Sequence, residues 1–397
     1  TTDYKADQIL MKGTSLGGSS QFPDKEILNI SQINSVAMVG GIGNFSKVDL
    51  SKALAGKRAS VGAGVSATTE TVSGSCSPKD FETMMQLTYL TFTAPRRDDE
   101  AFASYKNRNK AALLNQEMNP NVAFSDSITF ALQMGHPRTI RMKADMIDNM
   151  DYNKILAMYQ DRYKDASDFT FILVGNVDVE SMKPLIAEYL GALPTINRKE
   201  SFKDNKIEYR KGVYKNEFVR EQETAKASNF VSFIGTCKYD LKNSILQDMT
   251  CQIMDLVYTE KVREDEGGTY GVYVGGNLSK YPNEIAGIQI VFDTAPSKRE
   301  KLMKIIFAEI ERISKEGPSE ANLNKVKEFM LKKHAEDLKE NSYWMESIDE
   351  YLFTGMNPIK NYEQTVNSIT AKDIQKFADD LFKQKNEVEV SMISPDK

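Results

Sequence analysis

The sequence predicts an α+β protein of two tandem, homologous domains, each a mixed or antiparallel sheet with helices packed on one face. Three observations carry this. The chain has 397 residues, longer than one hydrophobic core usually serves. Landmarks of the first half return in the second at a nearly constant distance. Residues 151–155 and 169–173 recur as 370–374 and 388–392, a step of 219 from Asp151 to Thr370, and 130–137, ending Met-Gly-His-Pro, recurs as 350–358, ending Thr-Gly-Met-Asn-Pro. Each half also runs strand, helices, strands, paired helices, then a helix and a strand, an order that suits a sheet with segregated helices. Between the halves, residues 194–212 are rich in Lys, Asn and Asp with little apolar periodicity. A linker there divides the chain into domains 1–200 and 201–397.

Taken in order, residues 8–12 read as a strand and Gly17-Gly18-Ser19-Ser20 as a turn. Residues 24–39 read as one helix, with Ile27, Ile30, Ile33, Val36 and Ala37 on a face, ended by Gly40-Gly41-Ile42-Gly43. Ser46-Lys-Val-Asp49 is a capping-box pattern opening a short helix that Gly56 closes. Residues 61–72 alternate as strands do. Ser77 to Asp80 cap a helix whose face runs through Met84, Leu87 and Leu90, and helices continue over 98–116, 123–134, 151–164 and 179–190. Residues 168–175 form a strand apolar enough to be central. In the second half Ile253, Leu256 and Val257 mark a buried helix face, and Val272 to Val274 a strand.

Composition excludes several functions. With 41% apolar and 27% charged residues the chain is of ordinary globular make-up. A net charge of −5 argues against a nucleic-acid partner, and the Lys-rich stretch 325–339, interleaved with Glu328, Glu336 and Asp337, reads as a solvated helix face. No apolar run reaches the ~20 residues of a membrane span. Cys76, Cys237 and Cys251 are odd in number without metal-type spacing, so they read as buried free thiols. The glycines at 40–43 do not extend to a dinucleotide fingerprint.

The stretch from Val262 to Val274 carries the chemistry. Gly267 and Gly268 break the chain between a helix and a strand, placing the guanidinium of Arg263 and the phenol of Tyr270 on the two sides of one tight turn. Such a pair can grip a peptide carbonyl. The plainer alternative is a surface helix ending in a glycine turn, with a solvated Arg and a packed Tyr.

An Arg-Glu at a helix end, a Gly three residues on and a Tyr three after that, here Arg263, Glu264, Gly267 and Tyr270, resembles the C-terminal half of the pitrilysin/insulinase-type zinc peptidases. The resemblance implies their metallohydrolase-like fold, with four such domains in two halves that close like a clamshell over a peptide. It also implies a zinc site of the form His-x-x-Glu-His, two imidazoles one helical turn apart around a water-polarising Glu. This chain departs from that pattern completely. Its two histidines, His136 and His334, are far apart, and neither residues 29–39 nor 246–258 contain one. His136 reads as a loop residue and His334 as an exposed structural one. No metal ligand and no catalytic residue is expected in this chain alone, and zinc is expected in the N-terminal half of the parent.

The implied function is that of the zinc-free C-terminal half of a zinc metalloendopeptidase, with Arg263 and Tyr270 binding peptide substrate. The implied partner is an N-terminal catalytic half of the same protein, or a separate catalytic subunit. The alternative is a catalytically inactive architectural or peptide-binding subunit. A periplasmic or cell-envelope location is implied by the resemblance only. The opening Thr-Thr-Asp reads as the start of a fragment, and because family domains begin with a strand that hairpins onto the next, the strand at Ile9 to Met11 is expected to be left as an exposed edge.

Overall fold

The computed structural model describes residues 1–264 and 271–395, with the backbone alone for 262–264. It divides into two compact units. One comprises Thr1–Gln116, Arg141–Lys206 and Asp337–Asp349, the other Glu117–Ile140, Ile207–Glu336 and Glu350–Lys397.

The first unit is built on a four-stranded antiparallel sheet of β1 (Ile9–Leu16), β2 (Ala59–Val65), β3 (Thr69–Cys76) and β4 (Thr170–Gly175), in the order β2-β3-β1-β4. The alternating stretch 61–72 is thus a hairpin. Its tight turn is closed by the Ser66 hydroxyl, which accepts from the N–H groups of Thr68 and Thr69. Contrary to the sequence expectation, β1 is no edge: it pairs with β3 on one side and β4 on the other. The apolar strand β4 is conversely outermost rather than central. Its run of apolar residues reflects two covered faces, Phe171 and Leu173 on one and Ile172 and Val174 on the other.

The second unit holds β5 (Val213–Val219), β6 (Ala227–Thr236), β7 (Val272–Ser279), β8 (Ile285–Thr294) and β9 (Glu387–Ile393), in the order β5-β9-β6-β8-β7. With β6 in the place of β1, β7 of β2, β8 of β3 and β9 of β4, the strand order repeats that of the first unit. The addition is β5, which pairs in parallel with β9. Helices Tyr152–Tyr163 and Ala371–Phe382 occupy corresponding places, each opened by a side-chain cap, Asp151 in one and the reciprocal Thr370/Asp373 box in the other.

Each sheet carries its main helical layer on one face. In the first unit Phe81, Met84, Met85 and Phe92 meet Met158, Tyr159 and Tyr163 over Ile9, Met11 and Val72. In the second, Ile253, Met254, Ile306, Ile310, Ile374 and Phe377 cover Val231, Phe233, Ile288 and Ile290. To this the structure adds a helix on the opposite face of each sheet, borrowed from the other half of the sequence. Helix Pro120–Gln133 lays Phe124 and Ala131 on Phe230, Val388, Val390 and Met392 of the second sheet. The start of helix Asn341–Thr354 lays Met345 on Ile172 and Val174 of the first, where Lys12 meets Glu346 and Asp349 at 2.9 and 2.8 Å.

The helix expected over 24–39 is two short pieces, Ile27–Ile30 and Ile33–Val36. The apolar face is buried as expected at Ile30, Ile33, Val36 and Ala37. The break coincides with two asparagines committed to tertiary partners. Asn29 Oδ1 accepts from the Asp151 N–H at 2.9 Å, and the Asn34 amide bonds both the N–H and the C=O of Val65 at the end of β2.

Candidate functional site

Helix Leu241–Tyr258 leads into the motif. Asp240 opens it, its carboxylate accepting from the Asn243 N–H at 2.9 Å. Ile253 and Val257 are buried with Ile245, Met249 and Met254, and Leu256 lies half-buried at the rim of the same cluster.

Beyond Tyr258 the helix widens. Thr259–Glu264 is a π-helical turn, a rare geometry concentrated at functional sites. Two bonds tie this stem to helix Arg299–Glu316. The Tyr258 hydroxyl donates to the Ile306 carbonyl at 3.0 Å, and the Lys261 ammonium lies 2.9 Å from Glu309 Oε2. Glu309 has no solvent-accessible side chain, and Arg312 Nε bonds both of its oxygens at 3.0 and 2.9 Å. Burial alone would lift the Glu309 carboxyl, but the Arg312 and Lys261 cations outweigh it and hold it below the usual carboxylate range. Burial, with the Glu309 charge, pushes the Tyr258 phenol well above its ordinary value.

Arg263 and Glu264 lie in the π-helical turn, their side chains outside the described residues, as are Gly267, Gly268 and Tyr270 in full. On the far side the chain re-emerges into β7, the outermost strand beside β8. Val272 and Val274 face the core, while Tyr273 is 60% exposed. The Val274 N–H donates to the Asp255 carboxylate on the incoming helix; burial lifts that carboxyl, and the N–H opposes the lift. The two sides of the junction are therefore bonded to each other and to a third helix. Lys261, Glu309 and Arg312 were not singled out in the sequence. Only the Glu309–Arg312 spacing, one helical turn, is visible there.

For zinc, the donor set does not fit. Among the described residues no group of three or more His, Cys, Asp or Glu side chains is placed to hold a metal ion. His136 caps a single turn, its Nδ1 accepting from the Arg138 N–H at 3.2 Å. His334 is buried and stacked on Tyr362 at 4.1 Å, not exposed as the sequence suggested, because the face of helix Glu320–Asp337 that carries Leu323, Val326 and Met330 turns it inward. Burial pushes the thiols of Cys76 and Cys251 up to about 12 and that of Cys237 to about 11, so none is poised as a nucleophile. Among the described residues no helix is long and apolar enough to cross a membrane.

Residues 149–330 match the peptidase M16 inactive domain. The chain is similar to the zinc protease PQQL-like of Arabidopsis thaliana, at 26% identity over 369 residues, 88% of this chain and 35% of that protein. It thus spans little more than a third of that relative's length. Its fold is that of the periplasmic protease PqqL from Escherichia coli, with a TM-score of 0.83 at 16% identity, covering 98% of this chain and 43% of that one. It also superposes on the first half of the same protease, with a TM-score of 0.75 at 14% identity over 98% of this chain and 87% of that one. The chain is thus similar to the M16 peptidases, the pitrilysin/insulinase-type zinc peptidases, with the match to their inactive domain over residues 149–330.

Proposed function

We propose that this chain is the zinc-free C-terminal half of a zinc metalloendopeptidase, closing over peptide substrate held for a catalytic N-terminal half. The observation that carries this is the Arg-Glu-x-x-Gly-x-x-Tyr spacing at a helix-to-strand junction, within the stretch that matches the M16 inactive domain. The stem supports it. A π-helical turn pinned through Tyr258 and Lys261 gives Arg263 a rigid point of departure, and β7, an edge strand, presents backbone groups of the kind an extended peptide pairs with. In this reading Arg263 and Tyr270 bind the scissile carbonyl and donate to the oxyanion that develops from it. A periplasmic or envelope location, as borne by the Escherichia coli protease, is part of the same proposal.

The test uses the full-length parent enzyme. Tyr270→Phe removes one donor and keeps the ring, which at an oxyanion position costs roughly 3 kcal/mol of barrier, about a hundredfold in turnover. Arg263→Lys impairs cleavage as well, because a point charge does not reproduce a planar fork. Both losses are expected at unchanged melting temperature and unchanged zinc content. Parental cleavage rates in both variants would instead favour an architectural or peptide-binding subunit.

A further inference from the structure

In the first unit the end of helix Tyr152–Tyr163 holds a piece of extended chain in place. The Asp165 carboxylate accepts from the N–H groups of Ile196 and Arg198 at 3.0 and 2.5 Å, Arg198 Nη1 donates to the Asp161 carbonyl at 3.1 Å, and Glu200 lies 2.7 Å from Arg162 Nη1. The step of 219 from Asp151 to Thr370 carries Met158, Asp161, Arg162, Lys164 and Asp165 onto Phe377, Asp380, Leu381, Lys383 and Gln384 of the second unit. The correspondence is physical as well as numerical, since the Lys164–Asp161 ion pair returns as Lys383–Asp380. In the second unit these positions line an open cleft of about 510 Å³.

The cleft lies between the end of β6, the start of helix Leu241–Tyr258 and helix Ala371–Phe382. Its floor is apolar: Leu246, Ala286, Phe377 and Leu381 belong to the buried core of the unit, and the half-buried Cys237 thiol stands beside them. Leu381 puts hydrocarbon where Arg162 takes the Glu200 carboxylate in the first unit. The rim is cationic. Of the charged side chains that line it four are lysines, Lys238, Lys242, Lys376 and Lys383, against two aspartates, Asp373 and Asp380. Asp380 is divided between Lys376 and Lys383, while Lys242 meets Asp373 at 2.7 Å and Lys238 meets Asp240 at 3.1 Å. An ammonium has three N–H donors and exposed pairs of this kind are weak, so these lysines can each receive a further carboxylate. At the position of Asp165, Gln384 is turned onto Thr236 and accepts from its N–H at 2.8 Å, so an occupant here is held by its side chains rather than by its backbone.

We propose that this cleft is a docking site for an extended, acidic peptide segment of a partner polypeptide. One apolar or aromatic side chain of the segment sits on Leu246, Phe377 and Leu381, and carboxylates on either side of it meet the four lysines. Extended chain is what the corresponding positions hold in the first unit, and the excess of lysines on the rim selects an acidic one. The site is separate from the Arg263 and Tyr270 motif. Lys242 opens helix Leu241–Tyr258 and the motif follows its far end, roughly 24 Å of helix away.

The experiment uses this chain and a fluorescein-labelled peptide carrying one Phe between runs of Glu. It reads anisotropy together with the rate at which a thiol reagent modifies Cys237, the half-buried cysteine, Cys76 and Cys251 being buried. The peptide is expected to bind and to slow the modification of Cys237. Peptides with Ser in place of Phe, or with Lys in place of Glu, are expected to bind roughly tenfold or more weakly, and raised salt to weaken the parent peptide. Lys238→Glu combined with Lys376→Glu, both at exposed positions, is expected to lower the affinity by the same factor at an unchanged melting temperature. Equal binding of the Phe and Ser peptides, affinity indifferent to the reversed lysines, or no slowing at Cys237 would each overturn the proposal. Protection of Cys237 by free octanoate and not by the peptide would overturn it too, and assign the cleft to a small carboxylate. None of these readouts involves peptide cleavage, so failure here leaves the proposed function standing, and the reverse.

Discussion

Glu70 concentrates the electrostatics of the first unit. Its side chain on β3 has no solvent exposure, one oxygen accepts from the Gly18 N–H at 2.6 Å, and the other lies 3.9 Å from Arg162 Nη1. Arg162, itself 1% exposed, is shared with Glu200 and Asp161. Burial is the largest influence and lifts the Glu70 carboxyl to about 7, with Glu200 and Asp168 adding to the lift and Gly18 and Arg162 opposing it. The native state therefore keeps this proton to higher pH than the unfolded chain does. That contribution to stability is full below about 4.5, falls as pH rises, and is gone above about 7, a swing of roughly 3 kcal/mol at most. Glu70→Gln keeps an acceptor for Gly18 and removes the titration. Urea midpoints at pH 4 and pH 8 are expected to show the variant level with the parent at the lower pH and more stable at the higher. Parallel pH trends in the two proteins would refute this.

At the scale of elements, helix Leu241–Tyr258 sits directly on the backbone of β7 and β8. Gln247 Nε2 donates to the Gly287 carbonyl at 2.7 Å, and a Cβ on Gly276 would stand 2.4 Å from that nitrogen and 2.8 Å from Cys251 Sγ. Gly276→Ala is expected to push the helix off its seat and cost ~1–3 kcal/mol, read as a drop in melting temperature. Gly62→Ala in the corresponding strand β2 has open space around its Cβ and is expected to be neutral or slightly stabilising. Equal effects at the two positions would mean that the seat is softer than its geometry. The π-helical turn belongs to this scale too, since the contacts that support it come from a helix some 48 residues further along the chain.

At the scale of the whole molecule, two sheets of like order each take a covering helix from the other half of the sequence, so neither half of the chain closes its own core alone. Zinc chemistry is a whole-molecule matter as well. Two histidines, one capping a turn and one stacked in a core, are no ligand set. This chain by itself is expected to hold no stoichiometric zinc after dialysis and to cleave no peptide. Elemental analysis finding one tightly held zinc per chain, with chelator-sensitive cleavage, would overturn that.

The sequence by itself determined the elements whose signals are local or repeated. The 219-residue recurrence shows up as two caps on corresponding helices, and the helix face read at Ile253 and Val257 is buried. Periodicity reports which face of an element is covered, and says nothing of what covers it. Only the tertiary structure decided that β1 lies inside its sheet and β4 at its edge, since both are apolar strands and strand order is set by pairing between distant residues. The exchange of Pro120–Gln133 and Asn341–Thr354, the asparagine bonds made from residues 27–36, the burial of His334 and the Lys261–Glu309 bond have the same origin. Each joins partners tens to hundreds of residues apart, and no local pattern encodes a partner at that distance.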